Sequence, residues 1–306
     1  MKKILTNPVY AVLLAVFCNV LWGSAYPSVK IGYELFNITD SVFEKLFFAG
    51  WRFMAAGVMV LIAAWITHKK FPRVSRQGAP HVLMMAAVYT AVQYIFFYVG
   101  LSNTTGANGS IVNSIQTFFA VILAHFAYKN DKLNARKIIG TALGFAGVLA
   151  VTLGSGAAQL KFTGEGFILF AALSFVIGSM ISKKATQTDD AMAVTGYNLL
   201  IGGAVLTAIG LMGGGSFKTV TAEGIGVLAY LSFLSAAAFT IWTMLLQYNP
   251  IGKIAVFNFI IPVSGTLLSA VFLGENIFEL RYLISLVLVC AGIVIVNKGA
   301  NAKKTG

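Results

Sequence analysis

Charged residues are scarce in this sequence, and acidic ones most of all. Only ten Asp and Glu occur among 306 residues, and all charged residues together make up 10% of the chain. Soluble domains usually carry about 25% charged residues. The sequence therefore lacks the polar surface that would keep a fold of this length in water. Its two cysteines, Cys18 and Cys290, lie in apolar runs without metal-ligand spacing and are interpreted as small core residues.

Motifs that would indicate an enzyme are also missing. The sequence has no HExxH metal motif, no intramembrane Asp pair and no Asp-rich motif for prenyl phosphates, and its three histidines are peripheral. We therefore expect no enzyme activity, no cofactor and no metal. A net charge of +12 could indicate nucleic-acid binding. The basic residues, however, form short clusters between apolar runs, which is typical of cytoplasmic loops, so we expect no nucleic-acid partner.

Long apolar runs account for most of the sequence, which is 58% hydrophobic. About 20 apolar residues are needed for one helical membrane crossing, and continuous rather than alternating runs indicate helices. The sequence predicts an all-α integral membrane protein with ten transmembrane helices. The predicted spans are 8–31, 43–67, 80–101, 106–127, 134–154, 164–183, 191–212, 223–247, 252–273 and 278–297.

The distribution of Lys and Arg predicts the orientation of the chain. With the first residue on the cytoplasmic side, sixteen basic residues lie in cytoplasmic segments and five in external ones. Basic residues concentrate on the cytoplasmic side of membrane proteins, so we expect both termini to be cytoplasmic. The short basic loops are typical of a multi-pass protein of a bacterial inner membrane.

The two halves of the sequence are weakly similar to each other. Residues 113–151 align without a gap on 258–296, which places Asn113 opposite Asn258, and earlier in each half Trp22 and Lys30 align with Phe175 and Lys183. This similarity predicts two five-helix repeats, residues 1–155 and 156–306. An odd number of spans inverts the second repeat, and inverted repeats are typical of transporters with a substrate site between the halves. Chance similarity between apolar helices is the alternative.

An ordered set of short motifs resembles the drug/metabolite transporter superfamily, in particular its EamA-like ten-helix exporters. The first helix carries the segment 21–30 around Trp22 and Gly23, and the second carries Arg52-Phe53 before small residues. Residues 98–114 follow in the third and fourth helices, and the ninth contains Pro262 and ends in Leu273-Gly274-Glu275-Asn276. The resemblance covers nearly the whole chain and implies a cavity among helices one, three, four, six, eight and nine.

Two positions depart from the family pattern. The first repeat has Tyr128-Lys129-Asn130-Asp131 where the family often has a Gly-Glu pair, and Thr117 stands where the family usually has a helix-bending proline. The second departure leaves open whether the fourth helix bends.

Amide and aromatic side chains within the predicted spans are the candidate substrate-binding residues. Amides in lipid need partners, so they face other helices or a cavity. Asn113 and Gln116 are three residues apart and share a helix face, while the repeat predicts Asn113 and Asn258 on opposite sides of one cavity. Packing between helices, or an interfacial position for the aromatics, is the alternative. The complete set is Asn113, Gln116, Asn258, Trp22, Tyr26, Gln93, Tyr94 and Trp242.

Arg52 is the deepest charge in the predicted spans. A charge within the bilayer is costly and rarely occurs without a role. It either anchors a polar network or meets an anionic group of a substrate, and the resemblance favours the structural role.

The sequence therefore favours a transporter over other classes of membrane protein. The resemblance implies export or exchange of small metabolites, amino acids or related amphipathic solutes, by alternating access. A facilitator of drug-like cationic amphiphiles is the alternative within transport, and a receptor or structural membrane protein is the alternative outside it. No Asp or Glu lies in the middle of a span, so a carboxylate proton relay is not supported. The substrate, the direction of flux, the coupling ion and the oligomeric state stay open.

Overall fold

The computed structural model describes residues 5–39, 41–127, 133–154, 162–249 and 256–301. All regular secondary structure in these segments is helical, and the prediction of an all-α membrane protein with ten helices is confirmed. The helices are α1 (Pro8–Leu35), α2 (Val42–His68), α3 (Ala79–Ser102), α4 (Gly106–Ala127), α5 (Ala135–Gly154), α6 (Phe162–Ala185), α7 (Ala191–Met212), α8 (Ala222–Tyr248), α9 (Ile260–Leu273, opened by the turn Val256–Phe259) and α10 (Leu280–Asn301).

Polar residues set the starts of five helices. The side chains of Asn7, Ser41, Thr105, Asp190 and Thr221 each accept a hydrogen bond from a backbone N–H in the first turn of the following helix. These contacts satisfy donors that the helix itself leaves unpaired. The predicted spans therefore agree with the helices to within a few residues, since the same short polar segments that divide the apolar runs also cap the helices.

Length and composition agree with membrane crossing. Seven of the described helices are long and apolar enough to cross a membrane, and Phe257–Leu273 and Leu280–Val296 are shorter apolar helices. Some sequence features lie outside the described residues: both chain ends with their lysines, residues 128–131, the boundary between the two predicted repeats, and Lys253.

Three pairs of equivalent helices, with one helix from each half, pack against each other. The neighbours are α2 with α7, α4 with α9, and α5 with α10. Each pair is antiparallel: along α2 and α7, for example, Gly50 faces Gly203 whereas the later Gly57 faces the earlier Gly196. Antiparallel packing of equivalent helices is the arrangement that an inverted repeat requires.

The contacts between α5 and α10 have the two-fold symmetry that the sequence alignment of the two halves predicts. Gly140 faces Gly292, and Gly147 faces Ser285, while the alignment matches Gly140 with Ser285 and Gly147 with Gly292. The contact between Gly140 and Gly292 is thus repeated by a contact between the residues aligned with them, Ser285 and Gly147. A two-fold relation between the halves requires such a repeat. This reciprocity supports the division into two inverted five-helix repeats, which stays a proposal.

Candidate functional site

Departures from regular α-helix geometry occur in four helices that the resemblance places around the cavity. Residues 86–92 of α3 and Phe162–Gly166 of α6 form π-helical segments, α4 is interrupted between Asn113 and Gln116, and α9 opens with the 3-10 turn Val256–Phe259. π segments are frequent at functional sites, and discontinuous helices line the substrate sites of many transporters. Side chains at these positions are therefore the first candidates for a binding site.

The interruption of α4 needs no proline. The regular pattern stops where Ser114 N–H donates to Ile111 O at 3.1 Å and Ile115 N–H donates to Val112 O at 3.2 Å. The Ser114 hydroxyl also donates to Ile111 O at 2.5 Å. A serine that bonds the backbone of the preceding turn competes with the helical ladder and bends it. The fourth helix is thus broken although Thr117 replaces the family proline.

A small cavity of about 40 Å³ lies among α1, α2, α3, α4, α6, α8 and α9. Six of these seven helices are the ones that the resemblance implies, and α2 is added by Arg52. Seven of the nine residues singled out in the sequence line the cavity, and their role in binding stays a prediction. The lining consists of Trp22, Ala25, Tyr26, Arg52, Gln93, Tyr94, Phe97, Asn113, Gln116, Phe175, Phe239 and Ile261.

Aromatic rings form one wall of this cavity. Trp22 meets Phe175, Phe239 and Trp242 edge to face, with ring centroids 6.2, 5.7 and 5.1 Å apart. Edge-to-face geometry is favourable because the positive edge of one ring meets the negative face of another. The wall is therefore held in place by its own contacts and offers an apolar surface to a ligand.

Amide groups form a second part of the lining. Asn113 and Gln116 line the cavity together with Tyr26. Gln93 follows the π-helical segment directly and is only 7% exposed, and within the described structure its Oε1 atom has no hydrogen-bond partner. Buried polar atoms are nearly always paired, so an unpaired one that lines a cavity points to a missing ligand or water.

Arg52 is the only charged residue of the lining and is 2% exposed. Its Nε–H donates to Ser235 Oγ at 2.9 Å and to Leu231 O at 3.3 Å, and its Nη1–H donates to Tyr98 Oη at 2.9 Å. Its guanidinium carbon also lies 4.9 Å from the centre of the Phe53 ring. All of these partners are neutral, and Arg52 forms no ion pair with any carboxylate in the described residues.

Two predicted residues do not reach the lining. Trp242 lies behind Trp22, in the cluster where α1 packs on α8. Asn258 lies in the opening turn of α9, and its Oδ1 atom is buried without a partner in the described structure. The expectation that Asn113 and Asn258 line one cavity is therefore not met: α9 contributes Ile261 instead.

Sequence reasoning missed several apolar residues of the lining. Phe175 could have been found, because the repeat aligns it with Trp22. Phe239, Phe97 and Ile261 carry no signal that separates them from the many other apolar residues of the spans.

Two further cavities lie at opposite ends of the helices. One, of about 460 Å³, lies at the ends of α1, α3 and α9 and is lined by Lys30, Glu34, Lys45 and Glu275 among others. The other, of about 220 Å³, lies at the ends of α6 and α8 and includes Lys183. α3 and α6 run in opposite directions, so their final residues lie at opposite ends of the molecule. The aromatic cavity thus lies between two polar cavities at opposite ends of the helices.

Comparisons with known proteins agree with this architecture. The chain is 26% identical over 302 residues to the uncharacterised transporter YvbV of Bacillus subtilis (strain 168), with 95% of this chain and 93% of that protein covered. It is also 26% identical over 308 residues to a Salmonella typhimurium protein named "Probable amino-acid metabolite efflux pump", with 95% and 96% covered.

A crystal structure of another protein shows the same fold, with a TM-score of 0.71 at 18% identity, covering 95% of this chain and 97% of that one. The model of the EamA-like transporter family matches residues 9–153 and again residues 162–298. Together with the ten helices, these matches make the chain a multi-pass membrane protein that acts in membrane transport of small molecules. It belongs to the EamA-like transporter family.

Proposed function

We propose that this protein exports or exchanges amino acids or related small amphipathic metabolites by alternating access. The observation that carries the proposal is the meeting of aromatic rings, amide side chains and interrupted helices at one cavity. An apolar wall with a few placed polar groups suits a small solute that has an apolar body and a polar head. The name of the Salmonella relative supports the same class of substrate.

The cavity's position supports alternating access. It lies between two polar end cavities, and the packing of equivalent helices supports a two-fold relation between the halves. Transporters built from inverted repeats expose a central site to one side at a time by moving one bundle against the other.

Counterflow in proteoliposomes tests the proposal. Proteoliposomes that contain the purified protein are loaded with each unlabelled amino acid in turn. Uptake of the same radiolabelled amino acid is followed with and without an imposed pH gradient, and protein-free liposomes are the control. We expect saturable uptake of at least one amino acid, and insensitivity to the gradient would favour a facilitator. No uptake across the whole panel contradicts the proposal and would favour drug-like cations or another class of metabolite as the substrate.

A facilitator of drug-like cationic amphiphiles is the second candidate. The aromatic wall favours it, since aromatic faces attract cations. The buried positive charge of Arg52 opposes it, because a second cation in the same cavity would be repelled. Labelled cationic amphiphiles in the same counterflow assay distinguish the two candidates.

We also propose that both chain ends face the cytoplasm of a bacterial inner membrane. The excess of Lys and Arg in the segments assigned to the cytoplasm supports this orientation. A reporter that is active only in the cytoplasm should give signal when fused to either end. Signal from a periplasmic reporter at the C-terminus would overturn the topology.

A further inference from the structure

Arg52 presents a charge that the protein leaves without a counterion. It is 2% exposed, and its hydrogen-bond acceptors are two hydroxyls and one backbone carbonyl, those of Tyr98, Ser235 and Leu231. A buried charge usually forms an ion pair, because removal from water is costly and neutral hydrogen bonds offset that cost only in part. The positive charge therefore favours any anion that can reach it.

The guanidinium is also left with unused donors. Arginine has five N–H groups in a planar fork, and this fork matches the two oxygens of a carboxylate. The bonds to Tyr98, Ser235 and Leu231 use Nε and Nη1, and no bond from Nη2 to the described residues accompanies them. Because Arg52 lines the cavity, the free donors can be reached from there.

Gln93 adds a hydrogen-bond acceptor to the same cavity. Its Oε1 atom is a buried hydrogen-bond acceptor without a partner in the described structure. An acceptor in this position needs a donor, and a ligand ammonium group supplies one that is charged. The cavity thus holds an unused donor fork and an unused acceptor.

We propose that Arg52 binds the carboxylate of the transported solute and that Gln93 Oε1 accepts a hydrogen bond from its ammonium group. The solute's apolar body then lies against the wall of Trp22, Phe175 and Phe239. This inference rests on the proposed function and makes it more specific: the substrate must carry a carboxylate, so amino acids are accepted and the corresponding amines are rejected.

The first experiment changes the ligand and leaves the protein intact. The amino acid with the strongest counterflow is tested against its decarboxylated amine and its deaminated acid as competitors; for phenylalanine these are phenethylamine and phenylpropanoate. We expect the amine to compete about 10- to 100-fold more weakly than the amino acid, the range given by one lost charged hydrogen-bonded contact. The acid, which keeps the contact with Arg52, should lie between them.

The outcomes separate this inference from the proposed function. Saturable amino-acid exchange with equal competition by the amine overturns the role of Arg52 and leaves the proposed function standing. Absence of exchange for every amino acid contradicts the proposed function, and the carboxylate assignment falls with it.

Variants of Gln93 provide the second experiment. Gln93→Glu places a carboxylate in the cavity that competes for Arg52, so the order of acid and amine as competitors should reverse. Gln93→Leu removes the acceptor and should weaken the amino acid about tenfold while leaving the acid nearly unchanged. An unchanged order of competitors in a well-folded Gln93→Glu protein contradicts the proposal.

Arg52 itself is tested by Arg52→Gln, which keeps hydrogen-bond donors but removes the charge. We expect discrimination between amino acid and amine to fall to less than about threefold, the ratio left when no charged contact distinguishes them. The matched control is Arg281→Gln, which removes an arginine that lies outside the cavity and pairs with Glu279. If Arg52→Gln does not fold, the competition and Gln93 experiments still decide the question.

Discussion

Two kinds of helix pair occur among the equivalent helices of the two halves. α2 with α7 and α5 with α10 pack as regular helices through glycines, so closely that a Cβ on Gly50 would lie 2.8 Å from the Gly203 carbonyl oxygen. α4 with α9 also pack through small residues, and Gly265 lies against Ser110. Yet both helices of this pair are irregular, and both contribute to the cavity lining.

Small residues at the contact therefore do not by themselves keep both helices of a pair regular. Close approach of backbones stabilises helix packing in membranes wherever glycines allow it. The pairs differ in their polar side chains: in α4, the Ser114 hydroxyl donates to a backbone carbonyl and Asn113 lines the cavity together with Tyr26 of α1. The glycine-packed pairs thus form the framework, and the irregular pair presents polar groups to the cavity.

The largest effect is expected from enlarging a glycine in the framework. A Cβ on Gly57 would lie 2.5 Å from Leu200 N and 2.8 Å from the Gly196 oxygen, both backbone atoms that cannot move alone. Gly57→Leu should therefore cost more than about 3 kcal/mol and prevent recovery of monodisperse protein. Gly226→Leu on α8 is the control, because nothing lies within 4 Å of that Cβ. Equal yields and melting temperatures for both variants would show that the α2–α7 contact is not a rigid framework.

Arg52 stands on the framework helix α2, lines the cavity, and forms hydrogen bonds with residues of α3 and α8. Arg52→Ala removes three donated hydrogen bonds and leaves Tyr98 Oη without its donor. We expect a loss of about 2–3 kcal/mol in stability, measured as a lower melting temperature of the purified protein. A variant that melts like the wild type but transports nothing would show that Arg52 serves the ligand alone and that the framework does not need it.

The framework could be read from the sequence more completely than the cavity. Helix bounds follow from run length and from capping residues such as Ser41 and Asp190, which act locally. Depth within the predicted spans, polarity and the resemblance predicted that Trp22, Gln93 and Asn113 line one cavity. The break at Ser114 could not be read, because a single serine mid-helix bonds either the backbone or a neighbour, and only tertiary packing decides.

The position of Asn258 also could not be predicted from the sequence. The repeat gives equivalence along the chain, but equivalent residues occupy the same place only if both halves have the same conformation. α4 continues for several residues before Asn113, whereas Asn258 lies in the first turn described for α9. The two amides are therefore placed differently although they align.

This difference gives a paired prediction of intermediate size. Asn113→Ala removes an amide from the lining, so the rate of counterflow should fall about tenfold without loss of folding. Asn258→Ala should change transport less than about twofold, because that side chain lies outside the cavity. Unchanged kinetics for Asn113→Ala would remove it from the site, and a larger effect at Asn258 would restore the symmetric cavity that the sequence predicts.

The smallest effect is expected where the loops join at the ends of the framework. At one end Lys218 Nζ lies 2.8 Å from Glu44 Oε1. At the other, Asp189 accepts hydrogen bonds from Ser75 N at 2.6 Å and Ser75 Oγ at 3.0 Å, which connects the α6–α7 loop with the α2–α3 loop. Partial burial raises the pKa of Asp189, but the bonds from Ser75 and Thr188 and the nearby His81 outweigh it and hold the pKa below its usual value of 3.8.

The sign of the pH dependence follows from this direction. A carboxyl whose pKa is lowered by folding stabilises the protein above its unfolded pKa, and this contribution is lost as the pH falls through the folded value. Asp189→Asn should therefore lower stability by about 0.5–1 kcal/mol near pH 6, and the difference from wild type should be smaller at about pH 3, below the usual pKa of the carboxyl. Lys218→Gln should matter less at either pH, because a lysine side chain that is 42% exposed forms a weak ion pair. Melting temperatures of the three proteins at both pH values measure these differences. If the two variants lower the melting temperature equally, the hydrogen bonds of Asp189 stabilise their loop no more than the exposed ion pair of Lys218 stabilises its own.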